Sequence, residues 1–311
     1  MAETDETLRR AASTPFEPRH GEAVPVAPGV VRLTAPNPGP FTGPGTNSYL
    51  VGEGTLAVVD PGPADEGHLA ALLRAIDGRP VSHILVTHTH ADHSPLARVL
   101  AERTGAIVCA EGPHRAARPL REGEAHAMDA SVDRAFAPDR ALADGERVEG
   151  DGWAFETVLT PGHTANHAAF ALEGGPLLSG DHVMAWSTTI VAPPDGAMRP
   201  YMRSLDRLIE RREAGRDALY LPGHGGPVWR PGRFVKALRA HRLMREGAIT
   251  ERVLKGDRTI PAMVRAIYRT TDPRLHGAAA LSVLAHLEEL VARGVVDCGG
   301  VPTLHGTYLP S

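Results

Sequence analysis

The segment HILVTHTHADH, residues 83–93, constrains the fold of this chain more than any other part of its sequence. An apolar run, predicted as a strand, ends at Thr87, and four side chains of metal-ligand type follow within six residues. They are His88, His90, Asp92 and His93. In an extended loop, residues i and i+2 point the same way, so His88 and His90 can bind one ion together. The alternative interpretation, a solvated polar loop, leaves this density of ligand types unexplained.

Three further segments repeat one pattern, in which an apolar strand is followed by a turn and then by a single ligand-type residue. They are TVLTPGH, ending at His163, PLLSGD, ending at Asp181, and ALYLPGH, ending at His224. A histidine after one such turn is usually a surface residue, but three of these segments downstream of HTHADH form a joint signal. Because strand ends gather at one edge of a sheet, we expect these groups to converge on the first segment.

Zinc binds imidazole nitrogen and carboxylate oxygen and, in catalytic sites, keeps one position open for water. We predict two Zn²⁺ ions per chain, although other divalent metals suit the same donors. One ion is predicted on His88, His90 and His163, the other on Asp92, His93 and His224, with Asp181 bridging the two. A hydroxide shared by both ions is available at neutral pH, because metal acidifies bound water. Asp92 is also predicted, from its placement, to act as a catalytic acid that protonates the leaving group.

The segment LAVVDPG places Asp60 at the end of another predicted strand. A carboxylate there can accept the N–H of a ligand histidine and orient its ring. An ordinary turn-opening aspartate is an equally good interpretation, because Asp-Pro-Gly sequences are common in turns.

Composition excludes several classes of protein. Hydrophobic residues are 42% and charged residues 23% of the chain, as in ordinary globular proteins. The only cysteines are Cys109 and Cys298, so neither a disulfide framework nor a cysteine zinc module can form. The acidic start MAETDETLRR differs from a secretory signal, and no apolar run approaches the roughly 20 residues of a membrane span. We therefore expect a cytoplasmic protein without a membrane partner. The net charge of −4 argues against nucleic-acid binding by the whole chain.

The chain divides into three predicted parts: an N-terminal arm at 1–28, a hydrolase domain at 29–233 and a winged-helix-like domain at 234–311. Strands and helices mix through the middle part, which indicates stacked sheets with helices outside. After it, three helical patterns and a small hairpin follow in the order of a winged helix. Its last helical pattern carries few of the side chains that read DNA, so we expect it to pack or to form a homodimer. Since no ligand lies beyond residue 233, we expect a chain ending near Arg233 to keep its metals.

These motifs resemble the metallo-β-lactamase superfamily of αββα hydrolases over roughly residues 29–230. Within it, the chain resembles the β-lactamase-like protein 2 group, which has a C-terminal winged helix. The supporting segments are GTNSYLVG at 45–52, GHTANH at 162–167, GDHVMAWSTTIV at 180–191, YLPGHG at 220–225 and the tail at 258–294. The resemblance implies an α/β fold, an αββα sandwich followed by a small winged helix, and a dinuclear, usually zinc, hydrolase.

The resemblance also implies a substrate pocket beside the metal segments. Its predicted lining residues are Asn47, Tyr49 and Trp186, and His167 is a further candidate for substrate contact. For each of them a structural role is the alternative: turn chemistry for Asn47, packing for the two aromatic residues, and a satisfied buried imidazole for His167.

Three functions follow from these observations. The leading one is a metal-dependent hydrolase of a small ester, thioester or lactone, which needs a partly apolar pocket. The second is an endoribonuclease or phosphodiesterase acting on single-stranded RNA, an activity that the resemblance implies and that needs a cationic track. The third is a metal-stabilised DNA-binding winged-helix protein without catalytic activity. Asp181 argues against a dedicated β-lactam hydrolase, since the superfamily members with that activity have other residue types at this position.

Overall fold

The computed structural model describes Leu8, residues 16–121, Glu124 and residues 131–311. The strands are β1 Val24–Ala27, β2 Val30–Thr34, β3 Asn47–Val51, β4 Leu56–Val59, β5 Val81–Val86, β6 Ile107–Ala110, β7 Arg140–Ala141, β8 Arg147–Gly150, β9 Trp153–Leu159, β10 Ala168–Leu172, β11 Leu177–Gly180, β12 Tyr220–Pro222, β13 Val296–Asp297 and β14 Leu309–Pro310. The α-helices are α1 Glu66–Ile76, α2 Leu96–Thr104, α3 Met198–Glu213, α4 Pro231–Leu254, α5 Ile260–Ile267 and α6 His276–Ala292, and a short 3₁₀ helix covers Pro273–Leu275.

Two mixed sheets form the centre of the protein. The first has the order β1-β2-β3-β4-β5-β6-β7, antiparallel from β1 to β4 and parallel from β4 to β7. The second has the order β12-β11-β10-β9-β8, with a parallel pair between β11 and β12. Successive side chains of a strand point to opposite faces of its sheet. In β5, Ile84 therefore packs towards α1 and α2, whereas its neighbour Leu85 packs towards the second sheet.

Apolar clusters within the described chain define the layers. One lies between the first sheet and helices α1 and α2 and includes Leu72 and Leu100. A second lies between the two sheets and includes Leu85 and Phe170. A third lies between the second sheet and helices α3 and α4. The order of layers is thus helix, sheet, sheet, helix, the αββα arrangement predicted from the sequence.

The C-terminal part of the chain builds a separate apolar cluster from α4, α5, α6 and the β13–β14 hairpin. Its members include Val253, Met263, Leu284 and Tyr308. About half of helix α6 is buried, and its Glu288 and Glu289 form ion pairs with Arg118 and Arg199 of the preceding domain.

The first sheet includes residues of the predicted arm, and helix α4 crosses the second predicted domain boundary; both boundaries stay predictions. Strand β1 pairs with β2 although it falls inside the predicted arm, because residues 24–27 complete the edge of the first sheet. Residues 1–7 and 9–15 of that arm lie outside the described chain. Helix α4 begins at Pro231, and its first half packs with α3 through Phe234, Val235 and Leu238. The second half of α4 belongs to the C-terminal cluster, so one helix serves both domains.

One helical stretch, Pro273–Ala292, is long and apolar enough to cross a membrane by length and composition alone. Half of it is buried inside the protein, where Leu284 and Leu287 belong to the C-terminal cluster. The core helix of a globular domain has the same properties, so this stretch is weak evidence for a membrane span.

Candidate metal centre

The ligand-type side chains follow the carboxyl ends of strands from both sheets. His88 and His90 follow β5, His163 follows β9, Asp181 follows β11 and His224 follows β12. Because these strands run in the same direction within their sheets, their ends meet at one edge of the sandwich. The structure thus brings together the side chains that the sequence predicts to converge.

The first group consists of His88, His90, His163 and Asp181, whose ligand atoms all lie within 4.8 Å of one another. Nε2 of His88 and Nε2 of His163 each lie 3.0 Å from Nδ1 of His90. Two nitrogens bound to one zinc at tetrahedral angles are about 3.3 Å apart. The three imidazoles therefore already have nearly the spacing that one zinc ion requires.

The second group consists of Asp92, His93 and His224. Oδ2 of Asp92 lies 3.4 Å from Nε2 of His93 and 3.3 Å from Nε2 of His224. Asp181 lies between the groups, with Oδ2 3.2 Å from Nε2 of His224 and 3.8 Å from Nε2 of His163. One carboxylate is therefore within reach of both groups.

Two atoms at the centre of this cluster support a role in metal binding. Within the described chain, Oδ1 of Asp181 and Nε2 of His93 are buried, face each other across 3.6 Å and make no hydrogen bond. A buried polar atom without a partner is unfavourable unless something else, such as an ion, satisfies it. The donor set of imidazole and carboxylate is the one that zinc and related divalent metals bind, so the residues fit the predicted ions.

The far nitrogen of each of three ligand histidines donates to a fixed acceptor. Nδ1 of His93 lies 2.9 Å from Oδ2 of Asp60, Nδ1 of His163 lies 2.7 Å from the carbonyl oxygen of Ile190, and Nδ1 of His224 lies 3.2 Å from that of Gly45. These bonds fix the tautomer and direct Nε2 into the cluster. Asp60, predicted as such an acceptor, has φ +50° and also accepts from the backbone N–H and hydroxyl of Thr87.

Glycine at 223 is required by the close approach of the chain to the ligands. A Cβ on Gly223 would lie 2.4 Å from Oδ1 of Asp181 and 2.7 Å from Cε1 of His93. Any larger residue would displace the ligand side chains. This explains physically why glycine directly precedes the ligand-type residue His224.

The histidines of the first group are uncharged, which is their metal-binding form. Burial lowers the pKa of His88 well below its ordinary value, and the neighbouring imidazoles lower it further. Burial also lowers the pKa of His90 to about 3 and lowers that of His163. A neutral imidazole can offer a lone pair to a metal without first losing a proton.

In the second group, the pKa values of the histidines are raised instead of lowered. Burial opposes charge on His93 and His224, but the carboxylates of Asp92 and Asp181 outweigh it. They raise the pKa of His93 well above its ordinary value and that of His224 to about 10. Burial likewise opposes charge on the two carboxyls, but His93 and His224 hold the pKa of both well below the usual range. Without metal, this group is a set of ion pairs at neutral pH.

Three of the four residues predicted to contact substrate are buried and hydrogen-bonded within the protein. Asn47 is fully buried, and its Nδ2 donates to the carbonyl oxygens of Pro222 and Gly225. The hydroxyl of Tyr49 donates to the carbonyl oxygen of Pro222. Both hold the loop that carries His224. His167 is also fully buried, and its Nε2 accepts from the backbone N–H of Asp181. These side chains lie next to ligand-type residues in the sequence but beneath them in the fold, and their contact with substrate stays a prediction.

A cavity of about 300 Å³ opens over the cluster. Trp186, the fourth residue predicted to contact substrate, lines it. Its other lining residues are Pro40, Phe41, Thr42, His90, Ala91, Asp92, Ser131, His163, Asp181, Met184, Ser187, Thr188, Ile190, Ala192, Asp195 and His224. None of the described lining residues is a lysine or an arginine. Carboxylates belong to the wall too, including that of Asp195, which faces Nε2 of His114 across 3.4 Å.

The site also contains residues that no sequence motif indicates. Thr46 donates its hydroxyl hydrogen to Asp92, Phe41 forms part of the cavity mouth, and Asp195 lies in its wall. Thr46 lies in the segment GTNSYLVG, just before β3. No local pattern indicates which side chain at the start of this strand faces the ligand-type residues. Phe41 and Asp195 lie in Gly/Pro-rich loops without periodicity, so only the tertiary fold brings them to the site.

Comparison with known proteins agrees with this architecture. A model of the metallo-beta-lactamase superfamily matches residues 41–224, and a model of the beta-lactamase associated winged helix domain matches residues 259–300. The Beta-lactamase-like protein 2 homolog of Caenorhabditis elegans is 30% identical over 277 residues, covering 86% of this chain and 86% of that protein. Thioesterase pkgB of Emericella nidulans is 29% identical over 225 residues, covering 71% of this chain and 57% of that protein.

Solved structures match over nearly the whole chain. The crystal structure of a beta-lactamase domain protein from Burkholderia ambifaria has a TM-score of 0.77 at 26% identity, covering 96% of each chain. The predicted family, the predicted fold class and the assignment as an enzyme are confirmed by these matches, which sets aside the non-enzyme alternative. The chain therefore belongs to the metallo-beta-lactamase superfamily of hydrolases and has a beta-lactamase-associated winged helix after its catalytic domain.

Proposed function

We propose that this protein is a dinuclear, zinc-dependent hydrolase that cleaves a small ester, thioester or lactone. One observation carries the proposal. Two adjoining groups of metal-ligand side chains share Asp181 at the wall of a cavity whose remaining lining is mostly apolar or uncharged. A structural zinc site is closed and mononuclear, whereas this cluster is doubled and opens into a cavity.

His88, His90 and His163 would hold one ion and Asp92, His93 and His224 the other, with the carboxylate of Asp181 between them. When bound, such ions supply a nucleophilic water at neutral pH and polarise the bond under attack. The chain itself supplies orientation, because Asp60 and the carbonyls of Ile190 and Gly45 hold the ligand rings. It also supplies the cavity wall beside the cluster, which can position a bound substrate.

Asp92 is the proposed carrier of the proton that reaches the leaving group. Its carboxylate is one-quarter exposed to the cavity, whereas the Asp181 carboxylate is nearly covered. An ionised carboxylate at this position can accept a proton released at the site and pass it to the leaving group. A hydrogen bond from the hydroxyl of Thr46 to Oδ2 fixes the direction of that carboxylate.

The cavity lining supports an acyl substrate. Phe41, Met184, Trp186 and Ile190 offer apolar surface beside the ligand cluster, and a small-molecule pocket is typically apolar with a few placed polar groups. The name of the Emericella nidulans relative, a thioesterase, is in keeping with this substrate class. We therefore favour a thioester or ester with an apolar acyl chain.

Cleavage of single-stranded RNA is the second candidate. A phosphodiester polymer needs cations along the path of its backbone, and the described lining residues include no lysine or arginine. This observation makes RNA the less favoured substrate of the two.

A hydrolysis screen on metal-loaded protein tests the proposal. The substrates are acyl thioesters of increasing chain length, p-nitrophenyl esters, lactones, bis(p-nitrophenyl) phosphate, single-stranded RNA and a chromogenic β-lactam. Asp181→Asn, purified in parallel, is the control for contaminating hydrolases. We expect thioester or ester turnover that chelation abolishes, added Zn²⁺ restores and Asp181→Asn lacks. Turnover confined to RNA, or equal turnover by Asp181→Asn, would contradict the proposal.

A further inference from the structure

Arg242, in the middle of helix α4, is a buried cation. Its exposed fraction is 4%, and within the described chain no carboxylate forms an ion pair with it. Its guanidinium donates to the carbonyl oxygen of Thr189 and lies 5.3 Å from the ring centroid of Tyr201. Removing a guanidinium from water without an anionic partner is unfavourable, and an apolar side chain of similar length would fill the space at a lower cost. The stability of the core therefore does not account for an arginine here.

The acceptor of this hydrogen bond belongs to the loop that orients two predicted ligands. The hydroxyl of Thr189 donates to the carbonyl oxygen of Asp181 over 2.7 Å and lies 3.2 Å from that of His182. The next residue, Ile190, accepts the Nδ1–H of His163 on its carbonyl oxygen over 2.7 Å. Thr189 is itself almost completely buried. The segment 181–190 thus contains Asp181 and orients His163, and Arg242 binds it between these two contacts.

The side chain of Arg242 comes from the helix that the catalytic and C-terminal domains share. The same helix packs on α3 through Phe234 and Leu238 and joins the C-terminal cluster through Ile249 and Val253. Packing therefore fixes helix α4 on both sides of Arg242. Arginine suits this task because its planar group offers several N–H donors in a rigid geometry.

We propose that Arg242 is a positioning residue of the metal centre: by holding the Thr189 carbonyl it orients His163 and Asp181. Helix α4, which continues into the C-terminal domain, thereby holds the loop at 181–190 in the catalytic domain, although α4 itself contributes no metal ligand. This inference rests on the proposed metal centre.

The test compares Arg242→Met with Arg239→Met. Arg239 lies one turn earlier on α4, and its side chain pairs with Asp206 near the surface. For wild type and both variants, the melting temperature of the metal-free protein, the Zn²⁺ affinity by chelator competition, and the visible absorption spectrum with Co²⁺ are measured. For Arg242→Met we expect about tenfold weaker Zn²⁺ binding or more, an altered Co²⁺ spectrum and a lower kcat at similar KM. Its metal-free melting temperature should stay near that of Arg239→Met, which should match wild type in all metal readouts.

The outcomes separate this inference from the proposed function. If wild type binds no metal, the proposed metal centre fails and this inference fails with it. If wild type binds metal and Arg242→Met binds it equally, with the same Co²⁺ spectrum, only the positioning role is overturned. If Arg242→Met does not fold, Arg242→Lys decides, since it keeps the charge but loses the planar fork. Weaker Zn²⁺ binding by Arg242→Lys then supports the role, and unchanged binding overturns it.

Discussion

The hydroxyl of Thr46 donates a hydrogen bond to Oδ2 of Asp92 over 2.8 Å, joining loops that lie 46 positions apart in the chain. Nδ2 of Asn37 in turn donates a hydrogen bond to the hydroxyl oxygen of Thr46. The hydroxyl hydrogen of Thr46 is therefore left to point towards Asp92. The carboxylate thus has one defined orientation before any ion arrives. Outer partners of this kind usually change metal affinity or activity by about 10- to 100-fold when they are removed.

We therefore expect Thr46→Val to weaken binding at the Asp92, His93 and His224 group by about tenfold or more and to lower kcat. Valine keeps the shape of threonine but cannot donate a hydrogen bond. Titration of the metal-free protein with Zn²⁺ against a competing chelator measures the effect. Thr250→Val is the control, since that hydroxyl donates to the carbonyl of Glu246 within α4. Equal Zn²⁺ affinities for the two variants would show that this bond does not orient Asp92.

Asp181 is within reach of both ligand groups, so its loss should affect both ions. We expect Asp181→Ala to bind less than one ion per chain at a Zn²⁺ concentration that gives wild type two. Elemental analysis of protein purified by gel filtration measures this stoichiometry. Asp206→Asn, which changes an exposed carboxylate on α3, should retain wild-type metal content. A variant at 181 that keeps both ions and near-normal turnover would rule out a bridging role.

Metal loading should release protons because the second group is protonated when metal is absent. Asp181 and Asp92 raise the pKa of His224 to about 10 and that of His93 well above its ordinary value. A metal binds only the neutral imidazole, so at pH 7.5 binding must displace these protons. Calorimetric titration in buffers of different ionisation enthalpy measures the number released. We expect more than one proton per chain in wild type, and a value near zero would contradict these protonation states.

The same shifts give a sign for the pH dependence of the metal-free protein. The raised pKa of His224 stabilises the fold below the ordinary histidine value of about 6.5, and this contribution is lost as pH rises through about 10. The lowered pKa values of His88 and His90 act in the opposite sense and destabilise the fold as pH falls below about 6.5. Both contributions disappear once metal occupies the site.

The sequence predicts those features of the site that depend on the order of residues along the chain. HTHADH follows a strand directly, and strand ends in this fold share one edge, so the ligands could be inferred from order and residue type alone. The Asp60 contact to His93 is also indicated by the sequence, because a carboxylate at a neighbouring strand end can accept the N–H of a ligand histidine. These inferences depend on strand direction, which apolar patterns indicate well.

The sequence does not predict which neighbours of a ligand face the cavity. Asn47, Tyr49 and His167 lie beside ligand segments in the sequence, yet their side chains bind backbone groups beneath the site. Strand alternation requires a register, and register is set by the turns and the packing of both sheets. The contact of Arg242 with Thr189 spans two domains and leaves no local pattern at all.

Helix α4 changes the outcome expected for truncation. The sequence alone predicts that a chain ending near Arg233 keeps its metals, but this cut removes Phe234, Val235 and Leu238 from the cluster against α3. Burial of a large apolar side chain contributes about 1.5–3 kcal/mol. Their joint loss therefore approaches the total stability of a typical domain, about 5–15 kcal/mol. We expect this truncated chain to be insoluble or to lose cooperative melting, as circular dichroism would reveal. A folded, metal-binding chain would mean that α4 contributes little to the catalytic domain.

Trp186 offers a test of the acyl-chain assignment. Its indole packs over Gly43, where an added Cβ would lie 3.1 Å from Cε2, and over Gly225, so its position in the cavity wall is fixed. Because each buried methylene contributes about 0.8 kcal/mol, a long acyl chain should lose more from Trp186→Ala than a short one. We expect KM to rise about tenfold for long-chain thioesters and little for acetyl thioesters. Trp229→Ala, at a tryptophan 69% exposed and outside the cavity lining, is the control and should leave both KM values unchanged. If Trp186→Ala raises KM equally for all chain lengths, the indole does not contact the acyl chain.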